Sequence, residues 1–196
     1  MMTNFDIVQQ RLRSQLLIQP IFEQSKDVIT WFGAVQAQDY GAAKWALGLR
    51  SRGTTDNDIE QAFNDGVILR THVMRPTWHF VSPADIRWLL ALTAPRVHAT
   101  NAHRYRELEL DDAARRHCNN AIVKALQGGK QLTRAELASA LQQAGIATND
   151  SQRITYILMK AELDGIICSG ARYGKQFTYA LLTAGFSICQ YMQTSK

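Results

Sequence analysis

The chain has 196 residues, 46% of them hydrophobic, which is enough to bury a sizeable core and excludes an intrinsically disordered protein as the class of the whole chain. A net charge of +5 suits an anionic partner such as nucleic acid, although many ordinary soluble proteins are as basic; most of the excess lies beyond residue 110. The three cysteines, Cys118, Cys168 and Cys189, are odd in number and contain no CxxC pair, which argues against a disulfide framework and a zinc site and for reduced thiols in a cytoplasmic protein. No signal peptide opens the chain, and no apolar run approaches the ~20 residues needed to cross a bilayer, so no membrane partner is expected.

In chain order, Phe5–Ile18 reads as a helix with Val8, Leu12 and Leu16 on one face, stopped by Pro20. A second helix is predicted from Asp27 to Tyr40-Gly41, with Val28, Trp31, Phe32 and Val35 as its buried stripe. A short helix over Lys44–Leu49 follows, then one over Asp58–Asn64 capped by Thr54 or Thr55 and closed by Asp65-Gly66. After Gly66 the period changes to that of strands. Residues 67–73 and 77–81 predict a hairpin around Met74-Arg75-Pro76. Ser82-Pro83-Ala84-Asp85 is a helix start carrying Ile86, Leu89 and Leu90 inward, and further helical segments run from Pro95 to Glu107 and from Asp111 to Leu126. Thr133-Arg134-Ala135-Glu136 is a capping box for a helix to Gln143. Asp150 or Ser151 caps the next, striped by Ile154, Ile157, Leu158 and Ala161. Strands at 166–168 and 177–182 flank a Gly170–Gly174 loop.

This order predicts a mostly α chain with small β-hairpins (α+β) built from tandem winged-helix units. The first spans 1–110 and includes helices 27–39 and 55–65 and the 67–81 hairpin. The second spans 111–182, with helices 111–126, 133–143 and 151–164 and a wing at 166–182; an atypical tail, truncated or disordered, occupies 183–196. The third helix of such a unit is the usual DNA reader, and its solvent side is expected to show Gln152, Arg153, Thr155 and Lys160. The wing tip adds Arg172 and Lys175 beside an aromatic as phosphate or minor-groove contacts. Arg70, Arg75, Thr77 and His79 on the earlier hairpin could also hydrogen-bond phosphates, while a hydrogen-bonded strand histidine is the plainer reading of His79. Gln36 and Gln38 form a Gln-x-Gln element at a predicted helix end. Residues two apart diverge on a regular helix, so both could face one cleft only if the last turn opens.

The Val-Gln-Ala-Gln-Asp-Tyr run (35–40), the Asp-Gly-x-Ile-Leu-Arg-Thr-His segment (65–72) and the segment from Met74 to Leu90 together resemble the AlkZ-like family of bacterial winged-helix DNA glycosylases, over roughly residues 5–182. The resemblance implies double-stranded DNA as partner and removal of alkylated purines or interstrand crosslinks. It also implies a catalytic Gln-x-Gln motif at Gln36 and Gln38, and a Thr-x-His motif at Thr77 and His79. One glutamine amide would hold and polarise the water that attacks C1′; the other would orient the water or the sugar. An N7-alkylated purine already carries positive charge, so fixed dipoles and positioning suffice without a strong base. The motif holds no lysine for a Schiff base, so the product would be an abasic site with the strand intact. No metal or nucleotide cofactor is implied. Family members are longer and the match fades after Leu182, which reads as a C-terminal truncation. The alternative function class is a non-catalytic winged-helix DNA-binding protein, either a transcription regulator or an inactive glycosylase fragment; a protein-interaction module is a third.

Overall fold

The structure, a computed structural model, describes residues 2–148 and 150–182. It is mostly helical with two small antiparallel sheets. The tail reading for 183–196 and the third cysteine, Cys189, lie outside the described residues. Helix α1 (Asn4–Ser14) starts at a reciprocal Thr3–Asp6 capping box and buries none of its residues. Helix α2 (Ser25–Phe32) is shorter than its apolar stripe predicts. Gly33 adopts φ +73°, a left-handed conformation that a side chain would strain, and ends it there. The chain continues as strand β1 (Ala34–Gln36). Trp31, predicted inside, is 59% exposed, whereas Val35 packs on the core from the strand.

Asp39 caps α3 (Tyr40–Gly48) through Ala42 N–H, and a Thr55–Asp58 capping box opens α4 (Asp56–Asn64). Strands β2 (Leu69–Val73) and β3 (Thr77–Val81) form the expected hairpin, with Met74 at φ +62° in its turn. The first sheet has the order β1-β3-β2, because β1 returns to pair with β3 some 45 residues later in register Ala34–Val81, Val35–Phe80 and Gln36–His79. Ser82 Oγ accepts from Asp85 N–H just before α5 (Ile86–Glu107). This is a single 22-residue helix where two segments were expected. Pro95 removes one backbone donor within it but lies on the exposed side, and the helix runs on through it.

The second half follows its sequence signals closely. It consists of α6 (Asp112–Leu126), β4 (Leu132–Thr133), α7 (Arg134–Gln143) opened by the Thr133–Glu136 box, α8 (Ser151–Leu163), β5 (Ile167–Ser169) and β6 (Thr178–Leu181), with sheet order β4-β6-β5. Ile122, Leu126, Leu137, Leu141 and Leu158 are fully buried in its core, each contributing about 1.5–3 kcal/mol. Val28, Ile29, Ile59, Phe63 and Phe80 form the core of the first half. A third cluster joins Leu69, Val73 and Val81 of the first sheet to α5 and to Met159 and Leu163 of α8. Helix α8 therefore belongs to two cores at once, and it closes a cleft against the first sheet.

Candidate functional site

Gln36 is the last residue of the edge strand β1, and Gln38 follows in the loop before α3, so the element lies on a strand end and loop and not on the helix end that the apolar spacing predicts. Gln36 lies in register with His79. Ala37 N–H donates to the Trp78 carbonyl at 2.8 Å, and Trp78 N–H donates to the Gln38 side-chain Oε1 at 3.2 Å. Both glutamine side chains are exposed, and Gln38 already has its amide held by the neighbouring strand.

Gln38 borders a cleft of about 640 Å³, a size typical of ligand sites. Its walls include Arg70 and Trp78 from the first sheet, Arg134 and Ala138 from α7, Glu162 from α8, and Lys175, Phe177 and Tyr179 from the wing. Arg70 is 6% exposed. Its guanidinium lies 4.1 Å from the Trp78 ring centre and 4.5 Å from that of Phe177. It donates from Nε to the Ala37 carbonyl at 3.0 Å and from Nη2 to the Gln38 carbonyl at 3.4 Å. Burial pulls its pKa down to about 10, which leaves it charged at neutral pH. Glu162 is 1% exposed; its Oε2 is 2.5 Å from His72 Nδ1, and its Oε1 accepts from the Trp78 indole N–H at 3.4 Å. The His72 ring also packs against Trp78 at a tilt of 41°, with 4.5 Å between centroids. Burial pushes the Tyr179 hydroxyl pKa up strongly, so it is a neutral wall of the cleft.

His79 is buried, and its Nδ1 is 3.0 Å from the Thr77 carbonyl. A carbonyl only accepts, so Nδ1 carries the proton and, in the neutral ring, Nε2 keeps the lone pair. Burial lowers the His79 pKa from its ordinary value, which favours that neutral form. Its partner across the sheet, Thr71, has a buried Oγ1 with no hydrogen-bond partner among the described residues.

The structure brings Gln38 and Arg70 to the cleft with Lys175 across it, while Gln36 and His79 are paired within the first sheet and Thr77 lies at its hairpin end. Arg75 is exposed at the hairpin tip and Gln152 is exposed at the start of α8. The other basic residues are engaged within the protein. Arg153 donates to the carbonyls of Ala147 and Leu108. Lys160 lies 4.2 Å from the Tyr105 ring centre, and burial lowers its pKa. Arg172 stacks over Phe177 and Tyr40 while its backbone N–H donates to Asn64, so the wing folds back onto α4. Glu162, Trp78, Phe177 and Arg134 are site residues that sequence reasoning did not single out. The one readable signal was a carboxylate inside the apolar run of α8, between Ala161 and Leu163. Among the described residues no group of three or more His, Cys, Asp or Glu could hold a metal ion, and no helix is long and apolar enough to cross a membrane.

Comparison with known proteins gives two findings. The family model for DNA glycosylase AlkZ-like proteins matches residues 29–186, starting later than the resemblance read from the motifs and ending slightly beyond it. The fold is similar to that of the Streptomyces sahachiroi DNA glycosylase AlkZ, with a TM-score of 0.73 at 21% identity over 88% of this chain. The match covers 47% of the Streptomyces chain, so the present chain spans about half its length. No curated protein matches by sequence.

Proposed function

The chain belongs to the AlkZ-like DNA glycosylase family, and we propose that it is a monofunctional DNA glycosylase that hydrolyses the N-glycosidic bond of alkylated purines or interstrand crosslinks in double-stranded DNA. The observation that carries this reading is the placement of the Gln-x-Gln element. Two exposed amides stand at the edge of the first sheet, and that of Gln38 borders the cleft and is already oriented by the Trp78 N–H. In the proposed reaction Gln38 holds the attacking water through the remaining lone pair of Oε1 and directs it at C1′. Gln36, beside His79, steadies the water or the sugar. The purine leaves with its N7-alkyl charge neutralised as the bond breaks. The enzyme therefore supplies position and fixed dipoles rather than a strong base.

The order α6-β4-α7-α8-β5-β6 supports reading residues 111–182 as a winged helix. Helices α2 and α4 followed by the β2–β3 hairpin support a looser unit within 1–110. In this arrangement the exposed Arg75, Gln152 and Lys175 contact the DNA backbone. Arg70, Arg153, Lys160 and Arg172 shape the protein that presents them.

The test is single-turnover incubation with a duplex carrying one N7-methylguanine, beside Gln36→Ala and Gln38→Ala. Alkali-labile cleavage at the lesion, lost in the variants while DNA affinity stays within a few-fold, is the expected outcome. Salt-sensitive duplex binding without base release would instead make this a non-catalytic DNA-binding protein.

A further inference from the structure

Glu162 is the most deeply buried charged side chain in the cleft wall, at 1% exposure. A carboxylate out of water is unfavourable unless it is fully partnered. Its partners here all come from the other half of the molecule: His72 Nδ1 at 2.5 Å and the Trp78 indole N–H at 3.4 Å. Trp78 is also the residue whose backbone N–H holds Gln38 Oε1, and whose ring face carries the Arg70 guanidinium. Arg70 in turn donates to the carbonyls of Ala37 and Gln38. Among the described residues the hydrogen bonds that hold Gln38 come from Trp78 and Arg70, and Trp78 is itself held by a carboxylate supplied by α8.

We infer that Glu162 is a positioning residue for Gln38: from α8 it locks the Trp78 indole, so that the Gln-x-Gln element is held in place only when the two halves are docked. This inference rests on the glycosylase reading of the cleft. It also assigns His72 a part, as the second hydrogen-bond partner that keeps the carboxylate turned toward Trp78. A purely structural ion pair would make a different prediction. Its loss would lower stability and affinity together and leave the chemistry per bound complex intact.

The experiment uses the full chain with Glu162→Leu, Glu162→Gln and Trp78→Phe. Glutamine can still accept from the indole N–H and donate to His72 Nδ1; leucine fills the volume and does neither. Trp78→Phe deletes the indole N–H and keeps the backbone donor, so it decides the matter if Glu162→Leu does not fold. Two readouts are taken: single-turnover excision with lesion-duplex Kd, and the nitrogen–proton resonances of the Gln38 side-chain amide in the free protein. Expected for Glu162→Leu is an excision rate down by about 10–100-fold, of the order caused by a small misplacement of a reacting group. The Kd stays within about threefold, and the Gln38 amide resonances shift. Glu162→Gln recovers most of the rate and the wild-type resonances. Wild-type excision in both Glu162→Leu and Trp78→Phe, or Gln38 resonances unmoved in both, would overturn the inference. If the wild-type protein releases no base from any lesion, the glycosylase reading falls, and the resonances alone decide whether Glu162 orients Gln38.

Discussion

Replacing Arg70 by lysine asks whether the flat guanidinium, and not merely a positive charge, holds the cleft wall together. Arg70 is 6% exposed, is stacked between Trp78 and Phe177, and hydrogen-bonds two consecutive main-chain carbonyls. A lysine keeps the charge but has no plane to stack and no fork to reach both carbonyls. One charge-assisted hydrogen bond is then lost, at the weak end of its range because Gln38 is 3.4 Å away, which is about 1.5 kcal/mol. Two ring contacts add roughly 0.5–1 kcal/mol each. The sum is about 3 kcal/mol, which for a chain of this size lowers Tm by roughly 6–12 °C. Thermal and urea unfolding of wild type and Arg70→Lys measure it directly. A variant that melts within about 2 °C of wild type would refute the reasoning, because charge alone would then account for everything Arg70 does.

Two further outcomes follow from local geometry. At Gly170 an added Cβ would lie 2.5 Å from Gln131 Oε1 and 2.5 Å from Thr178 Oγ1, the two groups that bind the backbone of Ala171. Gly170→Ala should therefore destabilise the protein by about 2–4 kcal/mol through overpacking and broken hydrogen bonds, and unchanged urea unfolding would refute this. His79 has its folded pKa lowered by burial, so the unfolded chain binds more protons as pH falls below about 6.5. Its stabilising contribution is complete above that pH and shrinks toward the lower folded value. The stability gap between wild type and His79→Gln, measured by urea unfolding from pH 8 to pH 5, should be constant above pH 7 and narrow on acidification; a gap that widens would contradict the buried neutral ring.

What was legible in the sequence was what is decided within a few residues. The Thr55–Asp58 and Thr133–Glu136 boxes are local, and the helices they open begin where the pattern places them. The β2–β3 hairpin was readable for the same reason. The apolar stripe of α2 misled because Val35 continues a helical spacing. The strand is chosen by Gly33 at positive φ and by pairing with β3, a partner some 45 residues away. Arg70, Arg153, Lys160 and Arg172 were read as solvent-facing cations. Each is instead engaged by carbonyls or aromatic rings brought close by tertiary packing, and the same long stems that suit DNA contacts also suit stacking. Glu162 could not be assigned at all, since its partners lie 84 and 90 residues away in the chain.

The candidate cleft is lined from both halves, and the Gln-x-Gln element is held accordingly. Gln36 ends an edge strand only three residues long, and Gln38 lies two residues beyond it, just before the Asp39 cap of α3. Such a strand holds few ladder bonds of its own, and the side chain of Gln38 gains its orientation from Trp78. Trp78 is packed from behind by Arg70 and His72, and these meet α8 through Glu162 and the wing through Phe177. Helix α8 cannot shift without disturbing either of the two cores it joins, so its carboxylate is a fixed reference point. The rigidity of a short exposed strand is therefore borrowed from the interface between halves. Excised alone, the first half would keep the motif yet lose the Glu162 and Phe177 contacts to Trp78 and Arg70.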